Sequence, residues 1–314
     1  MIRMASIFVL FICLCACSSQ NSTTVHSSPA VVDLPKVTKS KWYFDGEEGV
    51  QFVTPNWNIY TTIPIPRIVE SLPDFYSDLL GHYTTVFGDL PYPQKRIDVF
   101  MFATETQWQL KLLQMLGEDA KEWYSLGRGG LTVDGTAVLY NLDRRGRSRV
   151  TLRIAAHEGW HQYAESVFKD CLPTWLDEGI GTWMEGFRIR NGEIKFMPAS
   201  NWDRLSTLRK IVSADKLDSL NSLLTSEPSA LLLTGRSALL SYYAQLWALT
   251  SFIVEFENGK YLPGLHAVLA SALQGTLQEP HGGWMLAFTD NPTQIEREYK
   301  EWVVQYVRPG STWR

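Results

Sequence analysis

The chemistry in this 314-residue chain concentrates in residues 148–168, where His157-Glu158-Gly159-Trp160-His161 lies within a helical stripe of Val150, Ile154, His157, His161, Ala164 and Phe168. Four residues is slightly more than one helical turn, so both imidazoles leave the same face with Cβ atoms about 6 Å apart. At that separation two ring nitrogens reach one zinc ion at about 2.0–2.1 Å. Glu158 stands one step round the helix, near the metal and angled toward a water that needs a base. Ser148 is placed to cap the helix.

A hydrolytic zinc takes three protein ligands and keeps one open position. Downstream, Cys171-Leu-Pro-Thr-Trp-Leu-Asp-Glu-Gly-Ile-Gly-Thr-Trp-Met-Glu185 offers the carboxylates Asp177, Glu178 and Glu185. Leu172-Pro173 separates this segment from the first helix, and Pro173 suits the opening turn of a second one. Glu178 follows His161 by seventeen positions, room for the end of one helix, a turn, and one turn of a helix running back beside it. We therefore take Glu178 as the third ligand. Asp177 and Glu185 are its rivals, expected behind the ligands or in solvent. Gly179 and Gly181 remove side chains where two helices and a metal site crowd together.

His157-Glu-Gly-Trp-His161 followed by Leu172-Pro-Thr-Trp-Leu-Asp-Glu178-Gly resembles the gluzincin metallopeptidases, the peptidase-MA-like group related to aminopeptidase N. The resemblance is strong over residues 150–186 and weaker elsewhere, and the gap to the glutamate is slightly shorter than in aminopeptidase N relatives. It implies a zincin-like domain: a small mixed sheet and an active-site helix, then a helical C-terminal half. It also implies one zinc ion on His157, His161 and Glu178, with Glu158 as general base. Within Ser241-Tyr-Tyr-Ala-Gln-Leu-Trp it implies an oxyanion-binding tyrosine, Tyr243 with Tyr242 as runner-up, and it puts Gln245 where aminopeptidases often carry lysine. The segments Gly129–Val133 and Thr136–Tyr140 fall where such enzymes place the edge strand that pairs with substrate. A Gly-x-Met-Glu-Asn segment, the aminopeptidase mark for binding a free amino terminus, does not precede the helix. Recognition of a free amino terminus is thus unsupported, and internal or specialised cleavage of a peptide or protein stands at least level with it.

The elements that must position these groups read as α+β. Strand patterns cover Gln51–Thr54, Trp57–Thr62 and Arg96–Phe102, and Asp134-Gly135 and Asn191-Gly192 favour tight hairpins. Ile68, Leu72, Phe75, Leu79, Tyr83 and Phe87 mark a helix, with Pro73 as a kink or a later start. From Arg204 onward the pattern is helical, ending on Ile295, Tyr299, Trp302 and Tyr306.

Residues 1–16 have the form of an export signal, with Arg3 and an apolar run too short to span a bilayer permanently. Leu14-Cys15-Ala16-Cys17 resembles a bacterial lipoprotein lipobox. That implies a lipid on Cys17, anchorage in the cell envelope and, with Ser18 next, the outer membrane, facing the periplasm or the cell surface. Residues 17–40 then read as a flexible tether and 41–314 as the peptidase-like domain, with Cys171 expected to be unpaired. A net charge of −4, from 29 basic and 33 acidic residues without a basic block, argues against nucleic acid as a partner. Six histidines are too few and too scattered (His26, His82, His266 and His281 lie outside the motif) for metal storage. The rival of another class is a catalytically inactive lipoprotein of the same fold that binds envelope proteins or peptides.

Overall fold

Asp45-Gly46 and Asp134-Gly135 each turn the chain with positive φ at both residues (51° and 78°, 47° and 70°), the backbone that two-residue hairpins require. Around them a computed structural model describes residues 37–124, 129–142, 149–190 and 193–308. The readings on the export signal, on Cys17, on tether residues 17–36 and on the Ser148 cap lie outside the described residues.

A six-stranded mixed sheet runs β1-β2-β3-β4-β6-β5. Its strands are β1 (Thr38–Phe44), β2 (Glu47–Val53), β3 (Trp57–Thr61), β4 (Ile97–Phe102), β5 (Gly130–Val133) and β6 (Thr136–Tyr140). β3, β4 and β6 are parallel to one another, and the pairs β1/β2, β2/β3 and β5/β6 are antiparallel. The tether therefore ends earlier than its composition suggests, because Thr38 already pairs with Val53. Hydropathy hides this strand: Lys39, Ser40 and Lys41 are exposed, and backbone pairing rather than side-chain burial holds them.

The helices begin with α1 (Pro66–Val69), α2 (Leu72–Thr85), α3 (Glu105–Leu116) and α4 (Ala120–Trp123). Pro73 sits in the opening turn of α2, so it starts that helix and does not kink it. Alternation along the strands feeds two cores. Val99, Met101, Ala137 and Leu139 face α2 and the helices beyond, whereas Phe102, Val138 and Tyr140 face Trp108 and Leu112 of α3.

Two long helices follow, α5 (Arg149–Val167) and α6 (Thr174–Met184), then a second sheet of β7 (Phe187–Arg190) and β8 (Glu193–Phe196). The rest is helical: α7 (Trp202–Ser213), α8 (Leu220–Thr225), α9 (Pro228–Thr234), α10 (Arg236–Glu255), α11 (Leu262–Gln274) and α12 (Pro292–Tyr306). The segment Arg236–Asn258 is long and apolar enough to cross a membrane, yet 61% of its apolar window is buried inside the fold. It packs on α6 at Gly179, where a Cβ would come within 2.7 Å of Thr250 Oγ1. On α12, Ile295, Tyr299 and Tyr306 are buried as the periodicity requires, joined by Val303.

His82 of α2 lies flat on Phe196, with ring centroids 3.8 Å apart and planes 4° apart, and parallel to Trp183 at 6.0 Å. Burial pushes its pKa down to about 4. An unfolded histidine titrates near 6.5, so the folded state rejects a proton that the unfolded chain accepts. The resulting stability is complete above pH 6.5 and drains away as pH falls through 4, by about 3.4 kcal/mol in all at 1.36 kcal/mol per unit. A His82→Phe variant keeps the stack and should flatten that acid limb relative to the unaltered chain in urea titrations across pH 4–7.

Candidate metal centre

Helix α5 presents its histidines through close contact with α2. Gly159 faces Tyr83, where a Cβ would lie 2.8 Å from the hydroxyl, and that hydroxyl donates to Ala156 O at 2.6 Å. Trp160 is fully buried, so α5 sits on the core through the residues between the two histidines. His157 and His161 therefore emerge on the opposite side, with ring centroids 4.8 Å apart.

Helix α6 returns beside α5 and brings in Glu178. Its Oε2 lies 3.2 Å from His157 Nε2 and 3.7 Å from His161 Nε2. The three ligand atoms fall within 4.8 Å of one another, a group that could hold a metal ion. Ligands at about 2.0–2.1 Å in a tetrahedral arrangement stand about 3.3 Å apart, close to the two distances from Glu178 Oε2. Glu178 Oε2 is buried and faces both imidazole Nε2 atoms without a well-aligned hydrogen bond among the described residues, a set of donor atoms that a cation at this point would satisfy. Gly181 completes the cradle: a Cβ there would press on the His157 ring, 3.1 Å from Cε1 and 3.2 Å from Nε2.

The rival carboxylates stand behind the imidazoles. Asp177 Oδ2 is 2.8 Å from His161 Nδ1, and its Oδ1 accepts from Trp160 Nε1 at 2.8 Å. Glu185, the residue that caps the end of α6, places Oε1 3.1 Å from His157 Nδ1. With the rings neutral, as a bound metal requires, each carboxylate would hold the ring proton on Nδ1 and leave Nε2 directed at the site of Glu178. Glu185 is itself gripped by Asn201 Nδ2 at 2.7 Å and by Arg204 through Nη2 (2.7 Å) and Nε (3.1 Å). Asn201 also caps α7, accepting from Arg204 N, so one residue sets both the helix start and the carboxylate.

Charge follows this geometry. Burial opposes protonation of His157, but the acceptor carboxylates of Glu178 and Glu185 beside its two nitrogens outweigh it and raise its pKa to about 9. His161 is likewise raised against its burial, by Asp177 and Glu178. Burial alone would lift the acids, yet the imidazoles hold Glu178 well below the usual carboxylate range, and Arg204 with His157 lowers Glu185 to about 2. Without a metal, protons bound to the imidazoles balance the acids, and a cation entering the site must displace them.

Glu158 lies beside the edge strand β5. Thr132 Oγ1 donates to Glu158 Oε2 at 2.7 Å and approaches Glu158 O at 3.2 Å. Gly130 leaves room there, since a Cβ would stand 3.1 Å from Glu158 Cγ. Of the two tyrosines on α10, Tyr243 is the one at the site, its ring 6.3 Å from that of His157 and at 86° to it. Tyr242 points away and donates to Ser226 O at 3.0 Å. Gln245 serves the scaffold, binding the Asp218 carboxylate and backbone N–H at 2.6 and 2.8 Å. The expectation for Cys171 depends on Cys13, Cys15 and Cys17, which lie outside the described residues.

Sequence reasoning missed Thr132, Asn201 and Arg204. Asn201 carried a signal, a capping residue ahead of Trp202-Asp203-Arg204; the other two carried none. A family described as a protein of unknown function, DUF1570, matches residues 152–268, which span His157, His161, Glu178, Glu185, Arg204 and Tyr243. No curated protein matches the chain.

Proposed function

We propose that this chain is a zinc-dependent peptidase with a zincin-like catalytic domain, in which His157, His161 and Glu178 hold one zinc ion. The observation that carries the reading is the convergence of buried Glu178 Oε2 on two imidazole Nε2 atoms, at 3.2 and 3.7 Å, each ring braced at Nδ1 by its own carboxylate. Zinc chemistry fits a donor set of two imidazoles and one carboxylate, with a position left for water. A bound zinc ion supplies Lewis acidity toward water and the scissile carbonyl.

The protein's own groups do the rest. Glu158 accepts the proton of the attacking water and delivers it to the leaving amine. Thr132 holds one carboxylate oxygen of Glu158 and leaves the other for that water. The Tyr243 hydroxyl, which makes no hydrogen bond with the described residues, donates to the oxygen on which negative charge develops. β5 has one paired side, toward β6, so its other edge can align an extended peptide by backbone hydrogen bonds. Together with the leader and Cys17, this reading places the enzyme on the cell envelope through an N-terminal lipid, acting on peptides or proteins there.

The full chain purified from membranes is expected to carry zinc near one equivalent and to digest casein. A chelator should abolish digestion and added zinc restore it. Stoichiometric zinc without hydrolysis of casein or of a peptide library would favour the inactive binding lipoprotein, and failure to bind zinc would overturn the peptidase reading and leave that lipoprotein as the alternative.

A further inference from the structure

We propose that Arg204 is a positioning residue of the metal site, locking the Glu185 carboxylate behind His157 and seating the ring of Tyr243. The inference rests on the metal reading above and adds a residue to it. Arg204 sits in the first turn of α7, nineteen positions beyond Glu185 in sequence. Its guanidinium spans both carboxylate oxygens, Nη2 to Oε1 at 2.7 Å and Nε to Oε2 at 3.1 Å. The Oε1 so held faces His157 Nδ1 at 3.1 Å. The group also lies over Tyr243, with Cζ 5.3 Å from the ring centroid. Tyr243 in turn meets the His157 ring edge-on. The four side chains thus form a closed circuit of contacts that includes the Nδ1 side of His157: imidazole, carboxylate, guanidinium, phenol.

Each contact constrains a different degree of freedom. A bidentate fork fixes the plane of the carboxylate, which a lysine ammonium cannot do. A fixed carboxylate plane fixes the imidazole rotation, and so the direction in which Nε2 points. A cation over the tyrosine face is attracted to the ring and restrains its tilt. Tyr242, the neighbour in sequence, has no such contact and turns its hydroxyl to Ser226. Arg204 thereby selects which face of α10 serves the site.

The test uses cobalt(II) as the probe on the full-length protein, with affinity read by chelator competition and geometry by visible absorption. Arg204→Met should weaken cobalt binding by about 10–100-fold, the usual loss when a group supporting a metal ligand is removed, and alter the absorption bands. Arg204→Lys keeps the charge without the fork and should fall between. Because Arg204→Met strands a buried carboxylate, the cycle is closed with Glu185→Gln and the double variant. The double variant should be no worse than Glu185→Gln alone, since Arg204 acts on the metal through that carboxylate. Cobalt affinity and bands unchanged in Arg204→Met, or strictly additive losses in the double variant, would overturn the role of Arg204 and leave the metal site standing. An unaltered chain that takes up no cobalt would sink the metal reading, and Arg204's role with it.

Discussion

Glu158→Gln should leave the metal in place and reduce peptide hydrolysis by about 10²–10⁴-fold, the span a positioned general base contributes. The substitution is nearly isosteric. Glutamine still offers an oxygen to the Thr132 hydroxyl, which now lies 2.7 Å from Glu158 Oε2, so the contact between β5 and α5 survives. The amide has no useful basicity, so the proton of the attacking water has nowhere to go. His157, His161 and Glu178 are untouched, and their mutual distances do not depend on the charge of Glu158. Metal content by elemental analysis should match the unaltered protein while kcat collapses and KM barely moves. Full hydrolysis by this variant would refute the assignment of the base.

Loss of the metal itself is the expected outcome of Glu178→Ala. Removing the carboxylate takes away the negative charge that both Nε2 atoms face, and two neutral imidazoles then hold a divalent cation without anionic help. The loss in affinity should exceed about 100-fold, the upper range for residues that merely support a ligand. Thermal melting gives a direct readout. Zinc at about 100 times its dissociation constant stabilises a binding protein by about 2.7 kcal/mol, and the Glu178→Ala variant should show no such gain at the same zinc concentration. Asp177→Asn and Glu185→Gln act one bond further out and should cost about 10–100-fold each. A Glu178→Ala protein with undiminished zinc would discard the ligand set. Equal losses from all three substitutions would show that the site does not discriminate a ligand from its support.

The sequence alone determined whatever helical geometry or a turn dipeptide dictates. Two histidines four apart on an apolar-striped segment must share a face, whatever surrounds them. Leu172-Pro173 must interrupt one helix before another starts, and Pro173 in fact stands at the N-cap of α6. Asp134-Gly135 specified the β5–β6 hairpin by its backbone preference, and Asp45-Gly46 carried the same signal for β1–β2, which exposed lysines concealed. The grouping of Glu178 with the two histidines was also legible, because seventeen positions leave room for a helix end, a turn and one turn of a helix running back.

Tertiary packing decided the rest. Asp177 and Glu185 became braces and not solvated acids because α6 packs along α5 closely enough to reach both Nδ1 atoms. Thr132 meets Glu158 only because β5 ends the sheet beside α5. Arg204 meets Tyr243 only because α7 and α10 converge on one histidine. Such contacts join residues far apart in the chain, and no spacing rule encodes them. Local periodicity sets where a side chain points from its own element, whereas burial of apolar faces against one another sets which elements become neighbours.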